Sequence, residues 1–146
     1  MLLEQGIDLF VEEGLTGHLA YEASSAGWDG VVQKLIEKGA DVNAFVKAGY
    51  SALAAASCEG HDSIVQMLLD HGADINSLDK DGHSALAVAS SRGQIRTVRI
   101  LLNHGANICA TDKDYSSALT AASRNGHEKV VKILLDKSAD IRIDGC

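Results

Sequence analysis

The sequence predicts an all-α solenoid of helix-turn-helix units with hairpin-like loops. Three observations predict it: a repeat of fixed length, aliphatic residues at helical spacing in each copy, and turn residues between copies. The segments that begin at Ser51, Ser84 and Ser117 align at one constant offset, which we call one repeat, and their leucines and glycines coincide. They are SALAAASCEGHDSIVQMLLDHGADIN, SALAVASSRGQIRTVRILLNHGANIC and SALTAASRNGHEKVVKILLDKSADIR. One such hairpin cannot bury its own apolar face, so we expect stacked copies to share a core.

The first helix of each copy is predicted from its two ends. A serine precedes the helix, and its hydroxyl can accept a hydrogen bond from the free N–H groups of the first turn. A glycine follows the helix, and small residues dominate the stretch between the two, which would let neighbouring hairpins approach closely. The serines are Ser51, Ser84 and Ser117, and the glycines are Gly60, Gly93 and Gly126.

The second helix of each copy is predicted from aliphatic periodicity, as at positions 64, 65, 68 and 69. We expect it to end before Gly72 and Gly105, because glycine just past a helix often adopts left-handed geometry. The segment that follows, such as ADINSLDKDGH, is rich in Asn, Asp and Gly, which is typical of an exposed turn.

The repeat organises the whole chain, 1–146, as one predicted domain of about four units and a partial N-terminal one. The predicted units are 1–10 (partial), 11–43, 44–76, 77–109 and 110–142. Neither end carries the polar face that caps a complete solenoid. We therefore expect either a piece of a longer array or a chain that associates with itself through its ends.

The repeated pattern resembles a known family. Its elements are G-x-[ST]-x-L-x-x-A, a following G-H, and V-x-x-L-L-x-x-G-A-D-[IV]-N, and the period and pattern resemble the ankyrin repeat over nearly all of residues 1–142. Where ankyrin repeats usually have T-P-L-H, this chain has SALA, SALA and SALT, and it contains no proline. The amino-acid sequence of the repeats is also similar to that of ankyrin arrays at the C-terminal ends of fungal NACHT-type receptors.

Charge is distributed unevenly along the chain. Residues 1–73 hold eleven acidic and three basic residues, a net −8, whereas residues 74–146 hold nine and ten, a net +1. Affinity for phosphate backbones depends on clustered Lys and Arg, so we expect neither a nucleic-acid nor an anionic-membrane partner. The sequence has no apolar run long enough to span a membrane and no basic leader. These features predict a protein of the cytoplasm, and they are also compatible with a nuclear protein.

Motifs for catalysis or cofactor binding are weak. Cys58 and His61 could approach each other, yet the sequence supplies no orienting third group. The segments DKDGH and DKDYS resemble the start of a calcium loop but lack the glutamate that closes one. No phosphate-binding glycine motif is present. The sequence therefore predicts a non-catalytic protein without a cofactor or a metal.

Candidate binding residues occupy the positions that the repeat leaves free. In ankyrin-like proteins these positions lie on the loop tips and on the exposed face of the first helix, and the resemblance implies that this concave surface binds protein. The candidates are Phe45, Lys47, Tyr50, Glu59, Leu78, Lys80, Asp81, His83, Arg92, Lys113, Asp114, Arg124 and Asn125. Phe45 and Tyr50 predict an apolar end, and Arg92, Lys113 and Arg124 a basic end.

Two functions are consistent with these features. The first is a protein-recognition scaffold that binds a protein or peptide on its concave face, as part of a larger receptor or adaptor. The second is a structural spacer or regulatory segment that docks on other domains of its parent chain or self-associates through its ends.

Overall fold

The computed structural model describes residues 13–46, 49–112 and 117–141. Within these ranges the fold is all-helical, with eight helices in four hairpins and no strand beyond isolated β-bridges, which confirms the predicted fold class. The helices are α1 (Glu13–Ala26), α2 (Asp29–Glu37), α3 (Ala52–Glu59), α4 (Asp62–Asp70), α5 (Ala85–Ser91), α6 (Ile95–Asn103), α7 (Ala118–Arg124) and α8 (Glu128–Ile141).

Three of the first helices begin at a serine cap, as the sequence predicts. The hydroxyl of Ser84 accepts a hydrogen bond from the N–H of Ala87 at 3.1 Å, and Ser51 and Ser117 make the equivalent bond. Each serine also pairs with a loop residue in an isolated antiparallel bridge, which folds the loop back on itself. The bridges are Phe45 with Ser51, Leu78 with Ser84, and Thr111 with Ser117.

Glycines terminate the helices at the predicted places. Gly60 caps α3 with a φ of 75°, and Gly72 and Gly105 follow α4 and α6 with φ of 88° and 84°. α8 lacks this stop, because Ser138 stands one repeat after Gly105, and the helix continues to Ile141. A serine adopts the left-handed conformation less readily than glycine does.

The core runs through the whole stack of hairpins. Leucines of the second helices, such as Leu68 and Leu101, are fully buried, and so are alanines of the first helices, such as Ala56 and Ala89. The small alanines let α1, α3, α5 and α7 contact one another more closely than α2, α4, α6 and α8 do.

One side chain at each junction between hairpins reaches back to the preceding first helix. His61 Nε2 lies 3.1 Å from the carbonyl oxygen of Ser25, and Gln94 Nε2 lies 2.9 Å from that of Cys58. His127 continues the series. We call positions 28, 61, 94 and 127 the junction position, and each internal junction residue links two hairpins through a main-chain acceptor.

Candidate protein-binding groove

Two hollows lie on the side of the first helices. The tyrosine hollow, of about 410 Å³, is lined by Tyr21, Ser25, Tyr50, Ala54, Ala55, Cys58, Glu59, Asp79, His83 and Val88. The arginine hollow, of about 230 Å³, is lined by Cys58, His83, Ala87, Val88, Ser91, Arg92, Asp112, Ser117, Ala121, Arg124 and Asn125. Because both contain Cys58, His83 and Val88, they form one continuous groove across four hairpins.

The floor of the groove is apolar and built from small residues. Ala55, Val88 and Ala121 occupy the same position in successive repeats. Val88 is the largest of the three, is partly exposed, and belongs to both hollows. An apolar side chain of a partner would therefore find its largest aliphatic contact at the middle of the groove.

Two stacked aromatic rings form one end of the groove. The ring centroids of Tyr21 and Tyr50 are 6.4 Å apart and the ring planes differ by 28°. Burial raises the pKa of the Tyr21 hydroxyl, and the charge of Glu22 adds to this effect, so the group remains a neutral donor at physiological pH. Paired tyrosines of this kind offer apolar area together with a polar tip.

An ion pair crosses the rim at the middle of the groove. The guanidinium of Arg92 lies 3.4 Å from the carboxylate of Glu59, and both side chains are about half-exposed. Burial raises the pKa of the neighbouring Cys58 thiol, and although Arg92 opposes this shift, Glu59 reinforces it. Cys58 is therefore a protonated thiol at neutral pH, which is the unreactive form. The ring of His61 contacts the carbonyl oxygen of Ser25 at the junction between hairpins.

Loop residues form a hydrogen-bonded cluster at the rim. The carboxylate of Asp79 is buried and accepts from the N–H groups of Asp81 and His83, at 2.9 Å each. The imidazole of His83 lies 3.1 Å from Asp79 and 3.4 Å from Asp112 on the next loop. Possible ligand atoms of Asp79, Asp81 and His83 lie within 4.8 Å of one another. The hydrogen bonds of Asp79 account for this closeness, and they order the loop beside the groove.

A cation and an anchored amide form the other end of the groove. Asn125 Nδ2 donates to the hydroxyl of Ser91 and to the carbonyl of Ala121, at 3.0 Å each. Arg124 is exposed and, within the part of the chain that the structure describes, its guanidinium has no acidic partner. Arg124 can therefore receive a carboxylate from outside the molecule, whereas Arg92 is already paired.

A family model described as ankyrin repeats (3 copies) matches residues 1–79 and 71–144. The chain belongs to the ankyrin repeat family. Ankyrin repeats are generally protein–protein interaction modules. No curated protein matches the chain at a significant level. None of the described helices combines the length and the apolar character needed to cross a bilayer.

The ankyrin array brings six of the predicted binding residues into the groove and leaves others outside it. The groove contains Tyr50, Glu59, His83, Arg92, Arg124 and Asn125. Phe45, Leu78, Lys80 and Asp81 are exposed on the loops and line neither hollow. Lys47, Lys113 and Asp114 lie outside the described residues.

Tyr21 is the main groove residue that the sequence analysis missed. It stands one repeat before Ala54 and two repeats before Ala87, in the unit whose beginning departs most from the pattern. The equivalent residues of the other units are small, so the repeat pattern gave no reason to expect a large side chain at this position. Ser25 is also missed, because a serine at a helix end gives no signal in a single sequence.

Proposed function

We propose that this ankyrin array binds a protein partner in the groove, with an apolar side chain over Val88 and a carboxylate at Arg124. One observation carries the proposal: the two hollows form a continuous path with stacked tyrosines at one end and the guanidinium of Arg124 at the other. Among the described residues, this guanidinium has no acidic partner. A partner segment that spans both hollows would contact all four first helices.

The balance of groups in the groove favours a peptide-like partner. Alanines and Val88 supply apolar contact, and the hydroxyls and amide near Arg124 supply hydrogen bonds. Interfaces of this composition, with an apolar centre and a polar rim, are typical of protein recognition. The net charge of −7 opposes nucleic acid, because Arg124 alone cannot replace the cluster of cations that phosphate backbones require.

Selection from a display library of random peptides on the immobilised chain, residues 1–146, would test the proposal. We expect the selected peptides to combine an acidic residue with an apolar or aromatic one at a fixed spacing. Peptides without an acidic residue would contradict the role of Arg124.

Matched charge reversals locate the binding site on the array. With a selected peptide, Arg124→Glu should weaken the Kd by at least about tenfold, since a charge-assisted hydrogen bond contributes about 1.5–3 kcal/mol. Arg99→Glu is the control, because Arg99 is also exposed but lies on α6, outside both hollows. Equal losses for the two variants would indicate long-range charge attraction and contradict a site at Arg124.

Protection of Cys58 gives a second readout that does not depend on charge. This thiol lines both hollows, so at alkaline pH, where part of it ionises, a bound peptide should slow its alkylation by iodoacetamide. Mass spectrometry of the fragment that contains Cys58 measures the rate. An unchanged alkylation rate at saturating peptide would place the partner elsewhere on the array.

A further inference from the structure

The two hollows of the groove differ in the charge of the residues that line them. Among the described residues, the lining of the tyrosine hollow includes the carboxylates of Glu59 and Asp79 and neither a lysine nor an arginine. The lining of the arginine hollow includes Arg92, Arg124 and a single carboxylate, that of Asp112. The groove therefore has an acidic end and a basic end.

The tyrosine pair adds to the negative potential of the acidic end. Tyr21 and Tyr50 both line the tyrosine hollow, and both side chains are partly exposed. The face of an aromatic ring is negative and attracts a cation within about 6 Å of its centre. Because the two ring centroids are 6.4 Å apart, one cation in the hollow can lie near both rings. Burial raises the pKa of Tyr21, and the charges of Glu22 and Glu59 raise it further, so acidic groups lie close to this ring.

Glu59 is the carboxylate that a cation in the tyrosine hollow can reach. Its side chain is 41% exposed, and it contacts Arg92 in one ion pair of 3.4 Å. Exposed ion pairs of this kind contribute little to stability, so a cation from outside can share the carboxylate. Asp79 is not available in the same way, because its side chain is only 2% exposed and already accepts hydrogen bonds from its own loop.

We propose that the tyrosine hollow accepts a lysine or arginine side chain of the same partner whose carboxylate binds Arg124. This inference rests on the proposed function, because it assumes a partner in the groove. The cation lies near the rings of Tyr21 and Tyr50 and beside Glu59, and its aliphatic stem contacts the alanines of α3. The partner is thus a segment with a basic and an acidic residue on opposite sides of an apolar centre, and the two charges fix the direction in which it lies.

Other side chains fit the tyrosine hollow less well. A neutral aromatic side chain or a proline would pack on the tyrosines, but it would cover the carboxylate of Glu59 without pairing its charge, which is unfavourable. A carboxylate of the partner would be repelled at this end by the like charge of Glu59. The hollow therefore selects a cation over both alternatives.

The packing of the helices sets the distance between the two charges of the partner. Tyr21 lies on α1, Tyr50 lies just before α3, and Arg124 ends α7, so two to three helix-to-helix spacings separate the tyrosines from the guanidinium. Packed helices are about 8–10 Å apart, which gives a separation of about 16–30 Å. An extended segment advances about 3.3 Å per residue, so about five to nine residues should separate the basic residue from the acidic one.

The peptides selected on the immobilised chain give the first test. We expect a lysine or arginine at a distance of about five to nine residues from the acidic residue. Peptides whose binding requires Arg124, but which have a proline or an aromatic residue at that distance instead of a cation, would overturn this inference and leave the proposed function intact. Peptides without an acidic residue would contradict the proposed function itself.

Removal of the peptide's charge tests the cation without altering the protein. In a selected peptide, norleucine in place of lysine, or citrulline in place of arginine, removes the charge and keeps most of the side chain. We expect the Kd to weaken by about threefold to thirtyfold, which corresponds to the strength of cation–aromatic contacts at partly buried sites. An unchanged Kd would overturn the inference.

A double-mutant cycle locates the cation on the protein. Tyr50→Leu removes the ring and should weaken binding of the charged peptide by at least about threefold, but it should have a smaller effect on the uncharged peptide, which has already lost the contact. Tyr50→Phe keeps the ring and is the matched control, with an expected Kd close to that of the wild type. Glu59→Gln, at a more exposed side chain, should likewise weaken the charged peptide more than the uncharged one.

Arg124→Gln separates this inference from the proposed function. This variant should weaken the charged and uncharged peptides by the same factor, because Arg124 binds the other end of the segment. If it does so while Tyr50→Leu and Glu59→Gln affect both peptides equally, the partner occupies the groove without a cation in the tyrosine hollow, and only this inference fails. If none of the three variants changes the Kd, the partner binds elsewhere on the array and both proposals fail.

Discussion

The internal hairpins and the end hairpins have the same backbone conformation but differ in which side chains pack over it. Gly93 and Gly126 have almost the same φ, 72° and 74°, yet among the described residues a side chain packs over the first and none over the second. Ser90 in α5 is fully buried, whereas Ser123, its equivalent in α7, is exposed. Position within the repeat therefore determines conformation, and the presence of a neighbouring hairpin determines burial.

The largest difference between an internal and an end position should appear in the core. Leu86→Ala removes a fully buried side chain and should lower the free energy of unfolding by about 2–5 kcal/mol. Leu119→Ala, at the same repeat position in the last hairpin, should cost less, because Leu119 is only partly buried. Urea denaturation would measure both, and equal losses would contradict the comparison.

A smaller difference should separate the two glycines. Both Gly93→Ala and Gly126→Ala place a Cβ at positive φ, a strain of about 1–2 kcal/mol. Only at Gly93 must the ring of His127 also move, which weakens its bond to Ser91. Gly93→Ala should therefore cost about 1 kcal/mol more than Gly126→Ala in the same denaturation experiment. If Gly126→Ala were the more damaging of the two, the stacked side chain would not be the cause.

The smallest effect should be the same at internal and end positions. Ala52, Ala85 and Ala118 each follow a serine with extended backbone, such as Ser84 with φ −88° and ψ 165°, which suits a following proline. Ala85→Pro should stabilise by about 0.4–1 kcal/mol, because it restricts the unfolded chain. Ala52→Pro and Ala118→Pro should give similar gains in melting temperature. Unchanged or lower values for all three would refute this reasoning.

The fold could be predicted from the sequence because its signals are local and repeated. The serine caps at Ser51, Ser84 and Ser117 and the glycine stops at Gly60, Gly72 and Gly105 all depend on a few adjacent residues. The extension of α8 to Ile141 is less visible, because it follows from a missing signal at Ser138. The length of α1 is hidden in the same way, since its beginning has no serine cap in the pattern of the other units.

The groove could be predicted only in part because its properties arise between units. The free repeat positions include Tyr50, Arg92 and Arg124, which line the two hollows. The pairing of Arg92 with Glu59 joins residues one repeat apart, so the predicted basic end is partly neutralised, with Arg124 unpaired among the described residues. The stacking of Tyr21 on Tyr50 likewise requires two neighbouring hairpins to be placed in three dimensions.

The junction bond also bears on how such an array changes over generations. His61, Gln94 and His127 all donate to a main-chain carbonyl, and every residue has one, so the receiving hairpin supplies only that carbonyl and the glycine that the repeat already places beside it. Imidazole and amide already alternate as donors along this chain. A duplicated or transposed segment of one repeat would thus meet a compatible neighbour at once, and the number of units can grow or shrink without matched substitutions on both sides of the new boundary.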